Sequence, residues 1–287
     1  MSGVYYTSAR QGGMGGLFRD LARGRYLMRD LVWKELRARY RNAMMGFLWA
    51  VLQPVLMMAI LTFVFGFIFK GRIQELGVGT EHPYPVFLLC GLVPWQFMCI
   101  ALSSGVHSLI ESQELIKKVC FPRELIPLAA IANCLVNLAI GFVTLIVVRL
   151  ILEGIGSLGT GLLWVPLIFT IQLALIVGVT LALSSLNIYF RDVGYMIEVA
   201  LTFGFYATPI FYPLSKVAAV TQGQGWLYHA YMFNPMAGIV LAYRQALLGN
   251  HAPDFALLAW PACAAATALI LGAAIFRRNA PTFADYL

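Results

Sequence analysis

The chain has 287 residues, 60% of them apolar and 11% charged, with a mean hydropathy of +0.78. A soluble globular domain carries roughly 25% charged residues, so this composition excludes one and predicts an all-α integral membrane protein. The net charge of +7 then reads as topology and anionic lipid, with no need of nucleic acid.

The longest polar segment is 1–43, too short for a soluble catalytic domain. The sequence therefore divides into an N-terminal segment, 1–43, and a membrane domain, 44–287. Met1 to Gly16 is Gly-rich and polar, and no apolar stretch follows Met1 at the distance a secretory signal needs. Leu17, Leu21, Met28, Val32 and Leu36 then recur at helical spacing, with Arg19, Arg23, Arg29, Lys34, Arg37 and Arg41 mostly elsewhere on the wheel. That pattern predicts a basic amphipathic helix in the headgroup layer. A nucleic-acid-binding arm would share it, but this helix runs directly into an apolar run.

Six long apolar runs follow, each near the roughly 20 residues that a helical span needs. They are about 44–69, 85–108, 125–152, 162–186, 193–212 and 255–276. The first, second and fifth contain Pro54, Pro94 and Pro209, which neighbouring helices can accommodate as kinks. Fifteen of the twenty Lys and Arg residues fall on one side of this arrangement; Lys70, Arg72, Arg149, Lys216 and Arg244 fall on the other. Positive charge stays inside, so both termini of a multi-pass protein are expected in the cytoplasm.

The same rule puts 111–127 in the cytoplasm. This is the most polar stretch between the spans, with Glu111, Glu114, Lys117, Lys118, Arg123 and Glu124. Glu114 precedes Lys118 by four residues, the helix-supporting order. Pro122 should stop the helix. Leu115, Ile116 and Val119 give it an apolar side, and Phe121 follows. A soluble partner could grip such a helix through these residues, with Lys117, Lys118 and Arg123 around the rim; an ordinary solvated loop would read the same way.

Residues 213–253 are too long and too apolar for a plain loop. Trp226, Tyr228, Tyr231, Met232 and Phe233 precede Asn234-Pro235, and 237–248 reads as a second apolar helix. Two short helices dipping back into the outer leaflet are expected, broken at Asn234-Pro235. Irregular backbone at that depth needs protein or a water-filled cavity beside it. An aromatic belt on a surface loop is the alternative.

Several chemistries have no motif. There is no G-x-x-x-x-G-K-[ST], so no P-loop nucleotide site is expected. The four histidines are scattered, and the five cysteines (Cys90, Cys99, Cys120, Cys134 and Cys263) form no C-x-x-C pair, so neither a metal site nor a disulfide framework is predicted. Gly12 and Gly16 form the one G-x-x-x-G, outside any span. Arg149 and Glu198 lie near span ends, where they can snorkel, and a mid-depth proton relay is not seen. The spans offer aromatic surface instead: Trp49 in the first; Phe203, Tyr206 and Tyr212 in the fifth. Such faces can stack on sugar rings along a glycan path, or simply pack.

Taken in order, these stretches resemble a known family. Trp33-Lys34-Glu35-Leu36 with Arg39-Tyr40-Arg41 precedes Gly46-Phe47-Leu48-Trp49 and Gln53-Pro54. Gly91-Leu92-Val93-Pro94-Trp95, 115–119 with Phe121-Pro122-Arg123, Tyr189-Phe190-Arg191-Asp192, Thr208-Pro209-Ile210 and Asn234-Pro235-Met236 follow, leading to Tyr243-Arg244. The sequence is similar to the membrane subunits of type-2 ABC exporters for polysaccharides: O-antigen, capsule and teichoic acid. Asn279-Ala280-Pro281 departs from the acidic-Pro sequence expected near the tail.

The resemblance implies a half-transporter whose two copies form the pore for a lipid-linked glycan, O-antigen first among the candidates. Two separate ATPase subunits, which bind the ATP and magnesium, would dock below; this chain itself would carry no cofactor. Leu115, Ile116, Lys117, Lys118, Val119, Phe121 and Arg123 would form the coupling helix, and Trp226, Tyr231, Asn234 and Pro235 a periplasmic gate. A membrane enzyme acting on lipid-linked sugar is the alternative, with Asp192 or Glu198 as its candidate acids; a non-transporting scaffold is a third.

Overall fold

The computed structural model describes residues 25–41, 46–68, 82–119, 121–157, 159–220 and 225–287. The Gly-rich stretch 1–16, the loop with Lys70 and Arg72, and Cys120 lie outside them. Among the described residues every regular element is helical. Four of the described helices have the length and apolarity to cross a membrane: Tyr84–Glu111, Leu125–Glu153, Thr160–Tyr189 and Phe255–Thr282.

In chain order, α1 is Arg25–Arg41, basic as expected before the first run; Leu17, Arg19, Leu21 and Arg23 of the expected helix lie outside the described residues. α2, Gly46–Leu61, contains Pro54 and continues as a π-helical turn, Thr62–Ile68. α3 is Tyr84–Glu111, started by Pro83 and Pro85. The short α4, Gln113–Lys118, follows with one residue between. α5, Leu125–Glu153, ends at Gly154, whose φ of 83° suits a residue without Cβ. A 3₁₀ turn, Thr160–Trp164, leads into α6, Val165–Tyr189. α7 is Asp192–Tyr206. Three short helices, α8 (Leu214–Val220), α9 (Gly225–Met232) and α10 (Pro235–Leu247), precede α11, Phe255–Asn279, and the terminal turn α12, Phe283–Tyr286.

α3 is the central helix. Val86, Leu88, Leu89, Cys90, Ala101, Val106 and Leu109 are fully buried, and α5, α6, α10, α2 and α7 pack around it. Between apolar helices in lipid, the hydrophobic effect gives little, so close approach and hydrogen bonds decide the packing. Both are present. A Cβ on Gly178 of α6 would strike the Ala268–Leu269 backbone of α11, and one on Gly272 would strike the Gly178 carbonyl. A buried polar chain ties three helices: Tyr243 Oη donates to Gln172 Oε1 at 3.0 Å, and Gln172 Nε2 donates to the Pro94 carbonyl at 2.8 Å. Asn187 Nδ2 donates to the Val106 carbonyl, and its Oδ1 accepts from Gly194 N, fixing the turn from α6 into α7.

The fifth run departs from expectation. Its helix has 15 residues and stops at Tyr206, about 22 Å at 1.5 Å per residue, short of the ~30 Å hydrocarbon layer. Pro209 does not kink a continuing helix: residues 208–212 turn away from it. Proline there removes a helical donor, and the buried bend is satisfied by other side chains, as follows.

Candidate gate and coupling surfaces

The bend at 207–212 is held from three directions. Thr208 Oγ1 donates back to the Gly204 carbonyl at 2.8 Å, closing the end of α7. From α3, Tyr84 Oη donates to the Phe211 carbonyl at 3.0 Å. From the break between α9 and α10, Asn234 Nδ2 donates to Thr208 Oγ1 at 2.9 Å, while Asn234 Oδ1 accepts from Met236 N and caps α10. Tyr231 Oη donates to Tyr212 Oη at 3.1 Å, and Tyr212 Oη to the Tyr206 carbonyl at 2.8 Å. From within α10, Arg244 Nη2 donates to the Ile210 carbonyl at 2.5 Å. Phe211 stacks on Phe65 of the π-helical turn, with ring centroids 5.3 Å apart.

Of the residues expected at a gate, Tyr231, Asn234 and Pro235 thus meet at this bend; Pro235 opens α10 beside its cap. Trp226 stands on α9, 68% exposed. Of the expected glycan-path residues, Tyr206 and Tyr212 join the bend. Phe203 and Tyr206 also belong to an exposed stripe along α7 with Tyr195, Met196 and Val199. Trp49 is exposed on α2, and no ring contact joins it to Phe203, Tyr206 or Tyr212 among the described residues.

The polar loop forms the predicted helix α4, ending before Pro122, with the Glu114–Lys118 pair at 2.6 Å on its exposed side. Its apolar side is divided. Ile116 is 5% exposed and lies in a cluster with Leu109, Ile126, Ile188, Phe276 and Phe283 of this same chain, and Phe121 packs against that cluster. Ile116, expected to face a partner, is thus buried within this chain, while Phe121 is half-buried against the same cluster. Val119 is 48% exposed, Lys117 and Lys118 are exposed, and Leu115 is half-buried. Arg123, half-buried, donates to the Ala280 carbonyl and lies over the Phe283 ring, 5.8 Å from its centroid. Glu124 accepts an ion pair from Arg277 at 3.3 Å, and the Tyr189 and Tyr286 rings meet edge-on at 4.8 Å.

Among the described residues two arginines are buried, which the sequence did not show. Arg149 does not snorkel; it is 2% exposed, with Nε on Glu153, Nη1 on the Leu247 carbonyl and Nη2 on the Ser157 carbonyl. Glu153 also bonds His82 Nδ1 at 2.9 Å. The i, i+4 spacing of Arg149 and Glu153 was the available signal. Arg244 on α10 is buried too, and its place next to Tyr243 in the Tyr243-Arg244 pair was its only mark. Asp192 and Glu198, the candidate acids of a membrane enzyme, are both exposed on α7.

Helices of this length and apolarity make the protein an α-helical, multi-pass membrane protein. Residues 26–248 match the ABC-2 type transporter family, and the chain belongs to that family. It is accordingly a membrane subunit of a transporter and not an enzyme. The chain is similar to the O-antigen export system permease protein RfbA of Myxococcus xanthus, 28% identical over 273 residues, which is 94% of this chain and 98% of that one. It is similar to the Klebsiella pneumoniae protein of the same name, 29% identical over 257 residues, 88% of this chain and 92% of that one. It is also similar to the polysialic acid transport protein KpsM of Escherichia coli, 23% identical over 248 residues, 86% of this chain and 91% of that one.

Proposed function

We propose that this chain is the permease subunit of an ATP-driven exporter of lipid-linked polysaccharide, an O-antigen in the first instance. The observation that carries the reading is similarity over nearly the whole chain to proteins named as O-antigen export permeases. Export of a capsule-like polysaccharide is the second reading, favoured by the similarity to the polysialic acid transport protein.

In this reading two copies form the pore and two ATPase subunits, holding ATP and magnesium, dock on the cytoplasmic side. The α7 stripe of Tyr195, Met196, Val199, Phe203 and Tyr206 supports the pairing, because no described part of this chain covers it. The glycan would pass along Trp49, Phe203, Tyr206 and Tyr212. α2 with its π-helical turn and α7 with its bend complete six crossings; segment 1–43 precedes the membrane domain 44–287, with α1 in the interface. Both termini lie inside by the charge rule. α9 and α10 dip into the outer leaflet and close the exit at the 207–212 bend.

The test is to purify the chain with its ATPase and measure hydrolysis with and without the glycan lipid, beside export in cells lacking the chain. Stimulated hydrolysis and restored export are expected. An ATPase that neither co-purifies nor responds would sink the reading. A reporter fused after Leu287 should be active only on the cytoplasmic side; activity outside would reverse the topology.

A further inference from the structure

Among the described residues two arginines are buried, and they are treated differently. Arg149 has a carboxylate, Glu153, and two backbone carbonyls; all three of its nitrogens are engaged. Arg244 is 7% exposed and has one hydrogen bond, from Nη2 to the Ile210 carbonyl. Its Nε and Nη1 are buried without a partner, and no carboxylate is paired with it among the described residues. The guanidinium carbon sits 3.6 Å from the centroid of the Phe87 ring. Among the described residues, the phenols of Tyr84, Tyr212 and Tyr231 and the thiol of Cys90 act on it electrostatically.

A guanidinium stays charged at any physiological pH. Buried charges are ordinarily paired, because an unpaired one is costly in a medium of low polarity. Buried polar atoms without partners call for an explanation. Packing does not supply one, since an apolar side chain of similar volume would fill the same space without the cost. The surroundings are nevertheless built for this arginine. A Cβ on Gly91 would lie 3.2 Å from Arg244 Nη2 and 3.2 Å from Ile210 Cα, so the glycine keeps room for it against the central helix. The phenols can donate as well as accept, so they can follow the arginine onto an anion.

We infer that Arg244 is an anion-binding residue, and that its ligand is the phosphate of a lipid-linked substrate. The inference rests on the exporter reading given above. In the closed bend the arginine holds the Ile210 carbonyl with one donor and keeps two in reserve. When the bend moves aside, those donors and the Tyr84, Tyr212 and Tyr231 hydroxyls take the phosphate oxygens. Charge-assisted bonds from a guanidinium to phosphate are short and strong. A phospholipid headgroup offers the same chemistry, but Arg244 lies inside the helix packing and not on a lipid-facing surface, which favours the transported molecule.

The test uses the complex of this chain with its ATPase in maltoside micelles, which contain no phosphate. Binding is measured for three probes: a polyprenyl diphosphate, the neutral polyprenol of the same length, and phosphatidylglycerol. The wild type should hold the diphosphate at least tenfold more tightly than the polyprenol. Arg244→Gln should abolish that preference, Arg244→Lys should keep part of it, and neither should change polyprenol binding. Equal binding of diphosphate and polyprenol by the wild type overturns the inference, and this measurement stands even if Arg244→Gln fails to assemble. Unchanged preference in an assembled Arg244→Gln complex overturns it too. Phosphatidylglycerol competing as well as the diphosphate overturns the assignment to substrate. Glycan-stimulated ATP hydrolysis in the same preparation separates the cases: if it persists while the phosphate preference is missing, only the role of Arg244 falls.

Discussion

Arg149 Nε donates to Glu153 Oε2 at 2.8 Å, one turn along α5, and both side chains are turned into the protein. The pair joins three segments, because the same guanidinium holds the Leu247 and Ser157 carbonyls and the same carboxylate holds His82. Removing one partner of a buried pair leaves an uncompensated charge, at a cost of about 3–5 kcal/mol. Glu153→Ala should therefore lower the melting temperature sharply in detergent. Arg149→Met, which removes the charge and keeps the volume, should do less harm than Arg149→Ala. Equal melting of Glu153→Ala and wild type would show that the pair is dispensable.

The bend at 207–212 should loosen when Asn234 is shortened. Asn234→Ala loses the α10 cap, worth about 0.5–2 kcal/mol, together with the bond to Thr208. Amide exchange at 207–212 should speed up by about tenfold, the equivalent of ~1.4 kcal/mol, while α3 exchanges as before. Exchange that quickens throughout the molecule would point to general destabilisation instead.

The division of α4 into covered and open faces gives opposite outcomes for neighbouring residues. Val119→Asp changes an exposed position and should release the ATPase from the purified complex with melting unchanged. Ile116→Asp puts a carboxylate into the cluster with Phe276 and Phe283 and should lower the melting temperature first. Lys117→Ala should weaken association only slightly, since rim charges act more on rate and partner choice than on affinity. Loss of the ATPase by Ile116→Asp at wild-type melting would reverse this assignment of faces.

The α6–α11 crossing depends on Gly178 and Gly272, whose missing side chains let backbone meet backbone. Gly272→Val should cost about 1–3 kcal/mol or more, because the obstacle is a peptide carbonyl that cannot swing away. Gly225→Ala is the control, since a Cβ there meets nothing within 4 Å. Comparable yields of folded protein from both variants would count against the crossing.

Run length and apolarity made four of the spans legible, with Tyr84–Glu111 and Phe255–Thr282 slightly longer than read. The break at Asn234-Pro235 was legible because a capping side chain and a proline coincide there. The end of α7 was not: Ala207 to Tyr212 is as apolar as the helix before it, and hydropathy does not separate a helix from a buried turn whose carbonyls are bonded by side chains. The inward faces of Ile116 and Phe121 were hidden for a related reason. An amphipathic stripe shows that a face will be covered, but not whether a partner or a distant part of the same chain covers it. The burial of Arg149 and Arg244 was hidden because charge counting assigns a side of the membrane and not a depth, and the carbonyls that hold them, of Leu247 and Ile210, lie tens of residues away.

The bracing of the polar loop by residues 280–287 has a consequence for biogenesis. Phe283 and Leu287 complete the floor beneath Ile116, and Arg123 reaches across to the Ala280 carbonyl. Translation makes the loop more than 150 residues before that floor exists. During the interval Ile116 can rest on Leu109, Ile126 and Ile188, and Phe283 and Leu287 arrive last. A subunit truncated before Ala280 should therefore keep its apolar helices while losing the packing of Phe283 and Leu287 beneath Ile116 and the carbonyl that Arg123 holds.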